Sequence, residues 1–272
     1  MNNAFYNMMM QAALNTPVFV DKKEETKSEQ ETNNSEPVKK ENVVIPIIHN
    51  EVSQLSKYLD IKEPQINFKT LTRVKDIIYD TKNTDIDLLI DSNGGEINAA
   101  KMICDTLMTY KKLYPENKIR AYVEYSALSA ATLIALCADE LYLSDYAHMG
   151  LVDPQVFGFS NKELNEATYQ KGSSCWDITH ALKIRSDFNT KLIKRLLNNI
   201  LSKNSKYSSR KDDIIENLVD GEVHGAGFTV DDLESFGISR DGTVPDEIAV
   251  KFEANKTEHQ TRNTNLITSL IN

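Results

Sequence analysis

Two short stretches of this 272-residue chain place reactive and permissive residue types side by side. The first is Asp91-Ser92-Asn93-Gly94-Gly95. Two glycines after a strand and before a helix let the backbone turn sharply with its amides exposed at the positive end of the helix dipole. Such a turn suits a phosphate, or the oxyanion that develops when a carbonyl is attacked. The second is Tyr125-Ser126-Ala127-Leu128-Ser129-Ala130-Ala131-Thr132, where a serine at the start of a helix sits among small neighbours that allow a substrate backbone to come close. Each stretch has a plainer reading. A Gly-Gly pair is ordinarily just a turn, and Ser126 and Ser129 suit an N-cap and an early-turn residue.

The elements that must position these stretches follow from hydrophobic periodicity. Ile86 to Ser92 is a short β-rich run, and Glu96 to Leu113 repeats apolar residues at helical spacing (Ile97, Ala100, Cys104, Leu107, Met108). Ile119 to Glu124 is a second strand, Ala127 to Ala138 a small apolar buried helix, and Glu140 to Ser144 a third strand. Each strand–helix–strand step needs a crossover, which favours parallel pairing and right-handed connections. The expected class is α/β with a largely parallel sheet. Both chemical stretches then lie at the carboxyl ends of consecutive strands, the edge where open α/β sheets hold ligands.

Beyond Pro154, residues 157–175 are expected to be loop or short irregular structure. Trp176 to about Lys203 is expected to be a long amphipathic helix (Ile178, Leu182, Phe188, Leu192, Leu196, Ile200), serving a neighbouring subunit or its own core. A final unit runs from Ile214 to Gly237. Residues 21–42 hold many charges of both signs and a lone aliphatic, Val38, so they cannot bury enough surface to offset their ordering entropy. The expected organisation is a disordered tail and linker over 1–42, a folded domain over 43–250, and a flexible tail over 251–272. Residues 1–20 are either simple disorder or a docking peptide carried by Phe5, Tyr6 and Met8 to Met10.

Composition narrows the function. The 31 Lys plus Arg against 40 Asp plus Glu leave a formal charge of −9, so non-specific nucleic-acid binding is not expected. Three scattered cysteines (Cys104, Cys137, Cys175) have no metal-ligand spacing and point to reduced thiols in a cytoplasmic protein. No run reaches the roughly 20 apolar residues of a membrane span, and the first residues lack the basic start of a signal peptide.

The pieces IDSNGGEINAAKMI, YVEYSALSAATLIALCADELYLS, HMGLVDPQ and HGAGFTVDDLESFGI, together about half the chain, resemble the serine dehydrogenase proteinase family. That family is similar to the Clp protease proteolytic subunit and to signal peptide peptidase A. The resemblance implies a Clp/crotonase-like spiral fold and a serine endopeptidase acting on peptides or unfolded protein. It puts Ser129 at the nucleophile position, with Ala130 and either Gly94 or Gly95 supplying oxyanion-hole amides. It requires no metal or organic cofactor and implies a homo-oligomer. No Walker-type glycine loop is present, so any ATP-driven unfoldase would be a separate chain.

The general base stays open. The Clp subunits have a histidine about two dozen residues after the nucleophile, where this chain reads Leu151-Val152-Asp153-Pro154-Gln155. His224 falls in the family's Thr-His-Asp-Tyr segment, with Gly225 where the family has aspartate, so its orienting acid would come from elsewhere, such as Asp153. Lys171 and Lys183 are the lysine alternatives, as in signal peptide peptidases, each needing burial to lower its pKa. His148 sits beside Gly150; His49, His180 and His259 have no supporting context in the sequence. Two further readings compete: an inactive relative kept as an assembly or scaffold subunit, motivated by the missing histidine and Gly225, and an acyl-CoA-binding crotonase-type enzyme, for which no carboxylate or purine-pocket signature is visible.

Overall fold

Three short runs that bury most of their side chains form the centre of the sheet: β1 (Val43–Ile48), β2 (Ile86–Ser92) and β3 (Ile119–Ala127). They pair in parallel in the order β1–β2–β3. The computed structural model describes residues 41–49, 65–81, 83–220 and 227–255. The expectations for residues 1–40, His224 and His259 therefore lie outside the described residues. Among those described, three further strands complete one six-stranded sheet. β4 (Glu140–Leu143) and β5 (His148–Gly150) both pair in parallel with β3, and β6 (Gly227–Phe228) is antiparallel to β5.

Side-chain alternation assigns the two faces of the sheet. Ile45, Ile47, Leu88, Ile90, Ala121 and Val123 point into the main core. There they meet α1 (Phe68–Asp80), α2 (Ile97–Leu113), α3 (Ala130–Ala135) and the inner side of α5 (Asp177–Leu201). Ile48, Leu89 and Tyr122 point the other way, against Ile248 and Phe252 of a helical segment, 246–255. Phe252 is fully buried, so the fold continues past residue 250, where the sequence suggested a polar tail.

The register of β3 changes along its length. Ile90 faces Val123, but two residues later Ser92 faces Ala127, so β3 carries a bulge around Glu124 to Ser126. Before the bulge β3 pairs with β4, and after it Ser126 and Ala127 pair with His148 and Met149 of β5. Glu124 is buried at this point and accepts hydrogen bonds from Ser144 Oγ (2.6 Å) and the Tyr146 hydroxyl. The bulge thus extends β3 beyond the Glu124 limit expected from sequence and re-aims its end.

The segment expected to be loop contains a helix, α4 (Asn161–Lys171), opened by a capping box between Ser160 and Glu163. Its periodicity is weak because Leu164 is its one buried residue among those described. α4 packs on α5, which spans 25 residues as the periodicity predicts. α6 (Lys211–Asp220) and α7 (Val230–Phe236) close the main core.

Candidate active site

Between the end of β3 at Ala127 and the start of α3 at Ala130 the chain reverses in two residues. Ser129 takes φ 52° and ψ −119°, a conformation that L-residues adopt only under constraint, at a cost of about 1–3 kcal/mol. It occupies the N-cap position yet makes no capping hydrogen bond, so the plain capping role is not what holds it there. The constraint comes from its neighbours. The Leu128 N–H donates to the Ser92 carbonyl (2.9 Å), and the Thr132 N–H donates to the Ser129 carbonyl (3.0 Å). The fully buried Thr132 hydroxyl lies 2.7 Å from the Ala127 carbonyl and 2.9 Å from that of Gly150, pinning β5 to the turn. The result is a half-buried serine at the tip of a sharp strand-to-helix turn.

The glycine turn is built against it. Gly94 has φ 101°, and a Cβ there would lie 2.8 Å from both Ser129 Cβ and the Leu128 carbonyl oxygen. Gly95 has φ 148°, and its Cβ would fall 2.2 Å from the Ile66 carbonyl oxygen, because Ile66 bridges to it. Neither position tolerates a side chain. The Gly94 N–H donates to Ser92 Oγ (3.2 Å). Among the described residues, the Gly95 and Ala130 N–H groups have no hydrogen-bond acceptor. Each of the two turns that meet at Gly94 and Ser129 thus carries one such backbone donor, a combination suited to acyl transfer.

The remaining candidates fall in different places. Ser126, which suited an N-cap in the sequence, lies within β3 instead and donates its hydroxyl to Asp91 Oδ1 (3.2 Å), a carboxylate only 2% exposed. Asp153 is half-buried and accepts from Gln155 Nε2 (3.1 Å). His224 lies outside the described residues. The described chain resumes at Gly227, where a Cβ would be 2.6 Å from His148 Cβ and 3.3 Å from Leu128 Cδ2. Lys183 pairs with Asp187 one turn along α5 (2.6 Å), and Lys171 is the exposed last residue of α4. Tyr125 is pushed up to about 12 by burial and by its hydrogen bond to Glu253 Oε1 (3.0 Å), so it stays protonated at neutral pH.

Three residues joined to these turns had no role in the sequence reading: His49, Ser92 and Thr132. His49 Nδ1 lies 3.1 Å from Ser92 Oγ, and its Nε2 lies 3.3 Å from Thr70 Oγ1. The signal for His49 was the apolar run Val43–Ile48 before it, which makes a parallel strand and delivers the next residue to the same sheet edge. Among the described residues no cluster of three or more His, Cys, Asp or Glu side chains is arranged to hold a metal ion. Nor is any described helix long and apolar enough to cross a membrane.

Comparison with known proteins adds relatives. The model of the family described as ClpP-like SDH-type serine proteinase matches residues 2–268. An uncharacterized protein of Methanocaldococcus jannaschii is 28% identical over 237 residues, covering 83% of this chain and 78% of that protein. A second from the same organism is 31% identical over 166 residues, 60% of this chain and about half (54%) of that protein. Among solved structures, a mutant of the 1510-N membrane-bound stomatin-specific protease in complex with a substrate peptide aligns at TM-score 0.47 with 16% identity, over 75% of this chain and 76% of the other. The ClpP protease catalytic domain from Plasmodium falciparum aligns at TM-score 0.45 with 17% identity, over 75% and 86%.

Proposed function

The chain belongs to the ClpP-like SDH-type serine proteinase family, and on that premise we propose that it hydrolyses peptide bonds through Ser129. The observation that carries this reading is the strained Ser129 turn, seated against Gly94, with the neighbouring Gly95 and Ala130 amides lacking an acceptor among the described residues. Ser129 Oγ attacks the peptide carbonyl carbon while a base takes its proton. The carbonyl oxygen, now negative, is held by the Gly95 and Ala130 N–H groups. Collapse expels the amine, protonated by the same base, and leaves an acyl-enzyme that water then hydrolyses.

His224 is the base in this reading, with Asp153 as its orienting carboxylate. The support for His224 is its place in the segment HGAGFTVDDLESFGI, which resembles the family's Thr-His-Asp-Tyr segment. An imidazole needs no tuning to act as base at neutral pH. The lysine alternatives draw less support, since Lys183 is ion-paired on its own helix and Lys171 is exposed. The substrate class is peptide or unfolded protein. A homo-oligomer is supported by large apolar side chains left outside, Phe157 (84% exposed), Tyr169 (89%), Trp176 (77%) and Ile184 (69%).

A fluorophosphonate probe tests the proposal. The purified protein is expected to label stoichiometrically and to cleave casein, and Ser129→Ala to do neither while keeping its fold. A wild-type protein that neither labels nor cleaves returns the chain to the scaffold reading.

A further inference from the structure

We infer that His49 is a positioning residue for the proposed hydrolysis, acting through Ser92 on both turns that form the site; the inference rests on the reading of Ser129 as nucleophile. Ser92 is fully buried and joins the two turns at once. Its carbonyl accepts the Leu128 N–H (2.9 Å), the residue before Ser129, and its hydroxyl accepts the Gly94 N–H (3.2 Å), the residue before Gly95. Its oxygen therefore sets where the glycine turn sits, and its main chain sets where the serine turn sits.

A hydroxyl that accepts still has its own proton to place, and its rotation about Cβ–Oγ is free unless something fixes it. His49 does so. Its ring nitrogen Nδ1 is 3.1 Å from Ser92 Oγ, and the opposite nitrogen, Nε2, is 3.3 Å from Thr70 Oγ1 on α1. With its proton on Nε2, the ring accepts from Ser92 and donates to Thr70 Oγ1, which also accepts the Asn67 N–H. The backbone of His49 is itself tied to the same strand end, its N–H donating to the Asp91 carbonyl (2.8 Å). The series Thr70–His49–Ser92–Gly94 thus runs from α1, across the ends of β1 and β2, to the glycine turn. Positioning errors of about 1 Å at reacting groups cost up to about a hundredfold in rate. Because His49 meets neither Ser129 nor an oxyanion amide in these contacts, its effect falls on turnover more than on substrate capture.

The experiment compares wild type, His49→Phe, His49→Asn, Ser92→Ala and the double variant His49→Phe/Ser92→Ala in hydrolysis of a p-nitrophenyl ester, with thermal melting alongside. His49→Phe is expected to lower kcat by about tenfold to a hundredfold, with KM moved less than about twofold. Asparagine, whose carboxamide reaches the place of Nδ1, is expected to restore most of it. The double variant is expected to match Ser92→Ala alone, since both changes cut one link. Wild-type kcat in a folded His49→Phe, losses that multiply in the double variant, or a change confined to KM would each overturn the inference. Should His49→Phe fail to fold, Ser92→Ala decides, and full kcat there overturns it equally. An inert wild type would instead remove the hydrolytic reading, and this inference with it.

Discussion

Gly94 and Ser129 are in van der Waals contact across the gap between two strand ends, so close that one added methyl on Gly94 would sit 2.8 Å from Ser129 Cβ. This contact links two stretches that are 35 positions apart in sequence and that are ordinary when read singly. Gly94 is glycine for want of room, and Ser129 keeps its strained backbone because Gly94 and Ser92 leave its turn nowhere else to go.

Gly94→Ala is expected to destabilise the protein by about 1–3 kcal/mol and to abolish probe labelling of Ser129. The new methyl meets backbone, the Leu128 carbonyl and the Ala130 nitrogen, as well as the Ser129 side chain, so the serine turn must move as a whole. Urea unfolding and labelling rates measured on one preparation check both halves. Labelling at the wild-type rate would show that the turn absorbs the methyl elsewhere.

Ser129→Gly and Ser129→Ala both delete the hydroxyl, but they differ in what they do to the backbone. Alanine keeps the penalty of φ 52°, whereas glycine adopts that conformation without strain. After the extra unfolded-state entropy of glycine, the glycine variant is expected to be the more stable by about 1 kcal/mol. Thermal unfolding of the two variants side by side is the check, and equal midpoints would mean that the turn stores no strain.

Away from the site, Arg120 holds three carboxylates at the amino ends of the strands: Asp85 at 2.8 Å, Glu140 at 3.1 Å and Asp87 at 3.5 Å. Burial pushes the Asp85 carboxyl up, but the Lys118 N–H and the Arg120 guanidinium together outweigh it and hold the group below its ordinary value. A lowered carboxylate pKa stabilises the fold above the unfolded value of about 4, and that contribution is lost as pH falls through the native value. Arg120→Met is expected to cost about 2 kcal/mol at pH 7, less than the roughly 3–5 kcal/mol of a fully buried pair because Asp85 and Glu140 keep more than a quarter of their side-chain surface exposed. The difference from wild type should shrink between pH 5 and pH 3. Urea midpoints across that range measure it.

Some parts of this architecture were legible in the residues and others were not, for separable reasons. β2 and the long helix α5 fall where the apolar pattern puts them, because a strand buried on both faces and a helix with a continuous inner stripe leave strong periodic signals. α4 was hidden because a helix with one described buried residue leaves almost no period; the Ser160–Glu163 capping box was its one signal. The bulge in β3 was hidden because a register shift has no composition of its own. His49 does not stand out in the sequence, because a histidine shows its partners only when the strand ends beside it are known.

The sequence by itself determined the alternation of strands and helices, the parallel sheet, and the presence of a Gly-Gly pair and a serine at two strand-to-helix junctions. Those features are local: side-chain size, branching and spacing decide them within a dozen residues. The tertiary structure alone decided that Gly94 touches Ser129, that Ser92 ties the two turns together, and that Ser126 is spent on Asp91. Contacts of that kind depend on the register between strands and on the twist that aligns their ends. No single segment encodes either quantity, because each is settled only when the segments pack on one another.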